Sequence, residues 1–302
     1  MKKCLMIINA TAGKGMVKKA LADILDCFVK AGYEIQITLT QARNDAKKLA
    51  MQAGNDFDLL VCSGGDGTLN EVVSGLLQLS REQRPPLGYI PAGTTNDFAT
   101  SLGIDKRLDQ AAMQIIEGKP FLIDIGCFNE RSFMYVAAFG LFTQVAYSTP
   151  QDVKNMFGRV AYILEGVKSL ANVNVYDLTI ELEDETIQGD FIYGQISNST
   201  SVGGFSNVGD QIILDDGYFE MLFVYRPNNP LDLQVIIADL LTRNLKSNWL
   251  VYRHVKQVKI RSTKPMEWTL DGEFAGSIEE ANIEIINKEL NIMVDKNYET
   301  NR

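Results

Sequence analysis

The sequence predicts two parts: an N-terminal α/β domain with a parallel, doubly wound sheet, then a C-terminal domain that is a mainly antiparallel β-sandwich. Three observations carry this reading. Short apolar runs alternate with segments of helical period from the start of the chain to residue 118. The texture then changes near FLIDIGCFN, residues 121–129, and strand patterns dominate from there. Finally, the loops after several early strands are small, polar and glycine-containing, as expected where a parallel sheet presents its carboxyl edge to a ligand.

The elements follow in order. KCLMIIN reads as a buried strand. In KGMVKKALADILDCFVKAG the apolar residues Val17, Leu21, Ile24, Leu25 and Phe28 recur at helical spacing, and Gly32 is placed to end that helix. EIQITLT is a strand, and NDAKKLAMQAG is a helix capped by Asn44 or Asp45. DLLVCSG is a continuous apolar strand leading into the helix LNEVVSGLLQL, and LGYIPAG with the segment around NDFATSLG repeats the pattern before the helix RLDQAAMQIIEG. Strands apolar on both faces and joined by helices describe a parallel sheet. Beyond residue 121 come SFMYVAAFG, YDLTIELEDET, GDFIYGQISN, GYFEMLFVYR, HVKQVKIRS, MEWTLDGEF, ANIEIINKE and LNIMVD. Leu178, Ile180 and Leu182 alternate, as do Ile283 and Ile285. Two helices interrupt them, roughly 152–171 and 230–244, with Pro230 near the start of the second.

Composition narrows the function classes. A net charge of −9 argues against non-specific nucleic-acid binding, which needs a basic footprint. No stretch has the apolar length that spans a bilayer, and the opening apolar run, Cys4 to Ile8, is too short for a signal-peptide core. A cytoplasmic setting is expected, and Cys4, Cys27, Cys62 and Cys127, far apart and without a C-x-x-C pair, read as reduced thiols. The single histidine, His254, has no local Cys or His partner, so a histidine triad or zinc site is discounted.

The chemistry-bearing stretch is VCSGGDGTLNE, residues 61–71. A strand that ends in glycines and feeds a helix leaves unpaired backbone N–H groups at the helix start, and the helix dipole favours an anion there. Thr68 adds a hydroxyl. Asp66 would repel a phosphate unless a cation lay between them, and Mg²⁺ carried by a nucleoside triphosphate is such a cation. Alone, the motif reads equally as a tight turn with Asp66 capping the helix. It is joined by NATAGKG (9–15) and PAGTTND (91–97), each after an apolar strand. Three such loops favour nucleotide binding, yet none matches an ordinary P-loop or a dinucleotide fingerprint. Late in the chain, Asp271 and Glu273 flank Gly272 in LDGE, either as a hairpin turn with solvated carboxylates or as a base beside a hydroxyl. LDDG, residues 214–217, is a turn or a partial ligand set for a hard cation.

Together, NATAGKG, SGGDGTLNEV, GYIPAGTTNDFA, IDIG, LDDGYFE and LDGE, in that order, resemble the diacylglycerol kinase catalytic family of soluble bacterial lipid kinases. That family is similar in fold to NAD kinases and 6-phosphofructokinases. The resemblance implies a nucleotide-binding domain over 1–124, with residues 291–302 free to pack back on it, and a lipid-substrate sandwich over 125–290. It implies ATP and Mg²⁺ as cofactors. Asn9, Thr11, Gly13 and Thr40 would line the ATP site. Gly64, Gly65, Asp66, Gly67, Thr68, Asn70 and Glu71 would hold phosphates and magnesium, with Thr94 and Asp97 completing the cleft. Glu273 matches the residue that takes the lipid hydroxyl's proton, supported by Asp271. Asp216, with the backbone carbonyls of Ile213 and Tyr218, matches a structural magnesium site. Ala10 and Ala12 depart from the family's usual Pro and Ser, which is expected to tune affinity only.

The function implied is transfer of the γ-phosphoryl group of ATP to a lipid alcohol, diacylglycerol first among them. The implied setting is a cytoplasmic homodimer, peripheral to the inner face of the membrane and in transient contact with its surface. An NAD kinase and a non-catalytic nucleotide-binding regulator are the alternatives. PAGTTND and the distal DGE weigh against the former, the retention of Asp66 and Glu273 against the latter. The stretches FMYVAAFGLF and VGGFSNVG are candidate lipid contacts that read more simply as core strand and loop.

Overall fold

A computed structural model describes residues 1–94, 96–140, 173–198, 201–202, 205–206, 213–242 and 244–298. The helix expected over 152–171, the stretch VGGFSNVG for the most part and the end of FMYVAAFGLF lie outside the described residues. The chain divides into two compact units: Met1–Ile125 with Ile213–Asp216 and Ile286–Arg302, and Gly126–Ile212 with Gly217–Ile285.

The first unit opens with β1 (Lys2–Ile8), α1 (Met16–Lys30), β2 (Tyr33–Leu39), α2 (Asp45–Met51) and β3 (Leu59–Gly64). Then come α3 (Asp66–Leu76), β4 (Leu87–Pro91), α4 (Asp97–Ser101) and α5 (Leu108–Glu117). β2, β1, β3 and β4 lie side by side in that order, all parallel. Parallel pairing follows from the helical crossovers, because each helix returns the chain to the same end of the sheet. Cys4, Met6 and Ile8 of β1 pack with Val17, Ile24 and Phe28 of α1 and with Ala111, Ala112 and Ile115 of α5. Leu5 and Ile7, which point to the other face, are also buried, so these strands read as unbroken apolar runs. Gly32, at φ +82°, follows α1, where Ala31 and Gly32 donate their N–H groups to Cys27 and Val29.

The second unit is built on antiparallel pairs. β5 (Lys119–Phe128) leads into it and pairs with β6 (Arg131–Phe133), and β7 (Val136–Gly140) follows. Next are β8 (Tyr176–Glu181) and β9 (Thr186–Ser197), the short pair β10 (Ser201–Val202) and β11 (Phe205–Ser206), and β12 (Phe219–Tyr225). α6 (Pro230–Thr242), β13 (Leu250–Val255), β14 (Gln257–Leu270) and β15 (Glu273–Val294) complete the chain. The pairs run β13–β12–β9–β7–β14–β15, and β8 lies end to end with β7 in the slot between β9 and β14. Alternation along β12 explains its two sides. Phe219, Met221 and Phe223 join one core around Trp268, Phe128 and Phe139, while Leu222 and Val224 meet Leu233, Ile236 and Ile237 of α6. β15 runs through both ANIEIINKE and LNIMVD, read from sequence as two strands; its last turn of chain pairs in parallel with β4 at Ile292 and Leu87 in the first unit.

The four cysteines are unbridged. Burial pushes the Cys62 thiol up, helped by Glu71 and Asp66, and burial alone raises Cys4, so both stay protonated thiols. No helix among the described residues is long and apolar enough to cross a membrane.

Candidate functional site

In the first unit the loops that follow β1, β3 and β4 meet at one edge. Asn9 N–H donates to the Ser63 carbonyl at 2.8 Å, Ala92 N–H to the Gly64 carbonyl at 2.7 Å, and Thr40 N–H to the Ile8 carbonyl at 3.0 Å. The Asn9 amide donates to Thr68 Oγ1 at 3.0 Å, and its oxygen accepts from the Thr11 backbone N–H and hydroxyl at 3.1 and 2.8 Å. Close approach explains two of the glycines. A Cβ on Gly13, which sits at φ +55°, would lie 2.1 Å from the Ala92 carbonyl oxygen; one on Gly93 would lie 2.5 Å from Gly65 Cα. NATAGKG, SGGDGT and PAGTTND are therefore in mutual contact.

Their focus is the start of α3. Gly65 occupies the N-cap and has no side chain with which to cap the helix. The N–H groups of the first turn, from Asp66 through Thr68, precede the first helical bond from Leu69 to the Gly65 carbonyl. The buried Ser63 hydroxyl at the end of β3 has no hydrogen-bond partner among the described residues. Backbone donors at a positive helix end and glycines that admit close approach fit a phosphate group. Asp66 stands at the first helical position, half-buried, beside Gly67 and Thr68; Asn70 is half-buried and Thr94 exposed. Asp97 begins α4, and its side chain lies outside the described set.

Glu71 has a duty that the sequence did not reveal. Its carboxylate accepts the N–H groups of Asn44 at 2.8 Å and Ala46 at 3.3 Å, capping α2 from α3. The expected cap by Asn44 or Asp45 is corrected accordingly: Asn44 is left-handed at φ +66° and makes no side-chain cap. Asp45 turns outward to accept from Gln41 and Ala42 at 2.9 and 2.8 Å, and these backbone donors hold its carboxyl below the usual range. Two further residues shape the site and had no assigned role in the sequence reading. Asn96, left-handed at φ +51°, clasps Gly93 through its N–H at 2.9 Å and its carbonyl at 3.0 Å. The Tyr89 hydroxyl lies 3.3 Å from both Asn96 Oδ1 and the Gly64 carbonyl. The available signal was an asparagine after a glycine turn, since Asn tolerates the left-handed region better than other side chains.

In the same unit, the turn at Ile213–Asp216 is tied down from several sides. Asp124, fully buried, donates its N–H to the Leu214 carbonyl at 2.8 Å and accepts from Asn287 Nδ2 at 2.9 Å and Lys288 N–H at 2.6 Å. Lys288 Nζ lies 3.5 Å from Asp215. Asp216 is exposed and Ile213 half-buried. No group of three or more His, Cys, Asp or Glu side chains is gathered among the described residues.

In the second unit, Asp271 and Gly272 join β14 to β15 with φ +49° and +82°. Positive φ at both central positions is the type I′ hairpin that Asp-Gly favours. LDGE forms a hairpin, but its two carboxylates are not both solvated as that reading had them. Asp271 is buried, its oxygens accepting from the N–H groups of Met134, Tyr135 and Val136 at 2.8, 2.9 and 3.1 Å. Its own N–H donates to the Val136 carbonyl at 2.8 Å. With three donors on it, the Asp271 carboxylate anchors the hairpin. Glu273, at the first residue of β15, is exposed. Tyr218 is 38% exposed, with the Lys256 ammonium 4.9 Å from its ring centroid, a cation–π contact.

Known proteins resemble this chain along its length. The model of the diacylglycerol kinase catalytic domain matches residues 3–128. A diacylglycerol kinase of Bacillus subtilis (strain 168) is 36% identical over 280 residues, covering 92% of each chain. One of Staphylococcus saprophyticus is 34% identical over 278 residues, covering 92% of this chain and 90% of that one. A solved diacylglycerol kinase from Bacillus anthracis str. Sterne superimposes with a TM-score of 0.77 at 22% identity, covering 97% of each chain.

Proposed function

The chain belongs to the diacylglycerol kinase catalytic family, and from that premise we propose that it transfers the γ-phosphoryl group of ATP to the hydroxyl of a lipid alcohol, diacylglycerol first among them. The observation that carries the reading is the meeting of three glycine-containing loops around the start of α3, whose N-cap is Gly65. Backbone N–H groups there hold and orient phosphates, and Asn9, Thr11, Thr68 and Thr94 add polar contacts, with Thr40 at the neighbouring strand end. Asp66 and Asn70, with Asp97, would hold magnesium on the nucleotide. Magnesium, when bound, neutralises charge on the phosphates. Glu273 accepts the proton of the lipid hydroxyl as the oxygen attacks phosphorus, and catalysis rests on positioning and charge stabilisation. Asp271 supports Glu273 by fixing the turn that carries it. Glu71 serves the site by holding α2.

The finer fold belongs to the same proposal: an NAD kinase-like or phosphofructokinase-like first domain near residues 1–124 and a lipid-binding sandwich near 125–290. So do a second copy of the chain, a cytoplasmic location and a transient contact with the membrane's inner surface; sizing chromatography and vesicle co-sedimentation test the first and last. Asp216 is proposed to ligate a structural magnesium, its neighbour Asp215 being engaged by Lys288. Hence Asp216→Ala should abolish the rise in Tm that magnesium gives the wild-type chain, and an undiminished rise removes the assignment.

The test of function is transfer of radiolabelled γ-phosphate from ATP·Mg²⁺ to diacylglycerol, phosphatidylglycerol, undecaprenol, sphingosine and NAD, with the lipids in mixed micelles. Label in a lipid fixes class and acceptor together. Label in NAD alone overturns the lipid reading, and no transfer by a chain that binds ATP leaves a nucleotide-binding regulator.

A further inference from the structure

The hairpin that carries Glu273 is irregular at one point, and Arg131 is bonded to that point. In the β14–β15 ladder Thr269 faces Phe274 and Trp268 faces Gly276, so Ala275 has no partner opposite. This is a β-bulge, completed by Gly276 at φ +117°, a conformation that favours glycine. A bulge changes the direction of the strand beyond it, and here the strand beyond it consists of Phe274 and Glu273. The Ala275 carbonyl, displaced from the ladder, accepts from Arg131 Nη1 at 2.6 Å. On the other side of the turn, the Tyr135 hydroxyl donates to the Asp271 carbonyl at 3.3 Å while the 134–136 backbone binds the Asp271 carboxylate. One short segment, 131–136, therefore grips the hairpin at residue 271 and again at residue 275, and Glu273 lies midway between the two grips.

We propose that Arg131 is a positioning residue for Glu273: by bonding the carbonyl of the bulged Ala275 it fixes the direction in which the hairpin presents the Glu273 carboxylate to the acceptor hydroxyl. The inference rests on the assignment of Glu273 as the proton acceptor. Arg131 is exposed, so loss of its guanidinium removes this bond and no core packing. Misplacing a reacting group by about 1 Å costs on the order of 100-fold in rate, and losing one of two grips should cost less.

The experiment compares Arg131→Met, Arg131→Lys, Glu273→Gln and the Arg131→Met/Glu273→Gln double variant, full-length, in mixed micelles with diacylglycerol. Arg131→Met should lower kcat between about 10- and 100-fold, with KM for ATP and Tm unchanged. Arg131→Lys, which keeps a donor, should recover part of the rate, and the double variant should be no slower than Glu273→Gln alone. An Arg131→Met rate near that of the wild type overturns the inference, as does a rate loss matched by a fall in Tm, or a double variant slower by the full product of the two single effects. If Glu273→Gln itself keeps the wild-type rate, the base assignment has failed and takes the inference with it; a slow Glu273→Gln beside a normal Arg131→Met sinks the inference alone.

Discussion

Glu273→Gln is expected to lower kcat for lipid phosphorylation between about 100- and 10,000-fold, the range over which a positioned general base contributes, while fold and ATP affinity stay as in the wild type. The change is isosteric and replaces a proton acceptor by an amide. Glu273 is exposed at the start of β15, and the turn is anchored by Asp271, whose carboxylate takes three backbone donors. Exposed substitutions of this kind usually move stability by no more than about 0.5 kcal/mol. ATP affinity, measured by calorimetry in magnesium, should be unaltered because the groups proposed to hold the phosphates belong to the loops after β1, β3 and β4. A variant that turns over within about three-fold of the wild type would remove Glu273 from the mechanism.

What could be read from the sequence divides along physical lines. β1, β3 and β4 were legible because burial on both faces leaves an unbroken apolar run, and the helices after β1 and β3 because their apolar residues recur at the helical period. The meeting of NATAGKG, GGDGT and PAGTTND was legible too, since parallel strands joined by helices place successive loops on one edge. The partners of charged and strained residues were not. Glu71 caps a helix 25–27 residues away in sequence, and Asp271 is bound by backbone donors 135–137 residues distant. Nothing in local composition encodes such pairings. The bulge at Ala275 was hidden for a different reason: it is defined by which residues face each other across the ladder, Thr269 with Phe274 and Trp268 with Gly276, and only that cross-strand register exposes it. The same applies to the break between ANIEIINKE and LNIMVD, where Lys288 takes a left-handed φ of +51° without ending β15.

Gly93→Ala should weaken ATP binding by about 5- to 150-fold, the equivalent of the roughly 1–3 kcal/mol that forced overpacking costs. The backbone of Gly93 itself offers no obstacle, since it is not among the residues with positive φ. The obstacle is its neighbours: the added methyl would sit 2.5 Å from Gly65 Cα and 2.7 Å from Asn96 Oδ1. Gly65 is backbone with no side chain to rotate away, and Asn96 is fixed by its two bonds to Gly93 and held left-handed at φ +51°. The loop after β4 and the loop after β3 must therefore separate, carrying with them the N–H groups at the start of α3. The β-sheet below should remain, because Ala92 N–H and the Gly64 carbonyl precede the point of contact. Raised Kd and KM for ATP with a largely retained kcat at saturating nucleotide is the expected pattern, since in the proposed mechanism the loops bind the donor and Glu273 handles the acceptor. If Gly93→Ala binds ATP·Mg²⁺ as the wild type does, the close approach of these loops has no part in holding the nucleotide, and the phosphates must lie elsewhere.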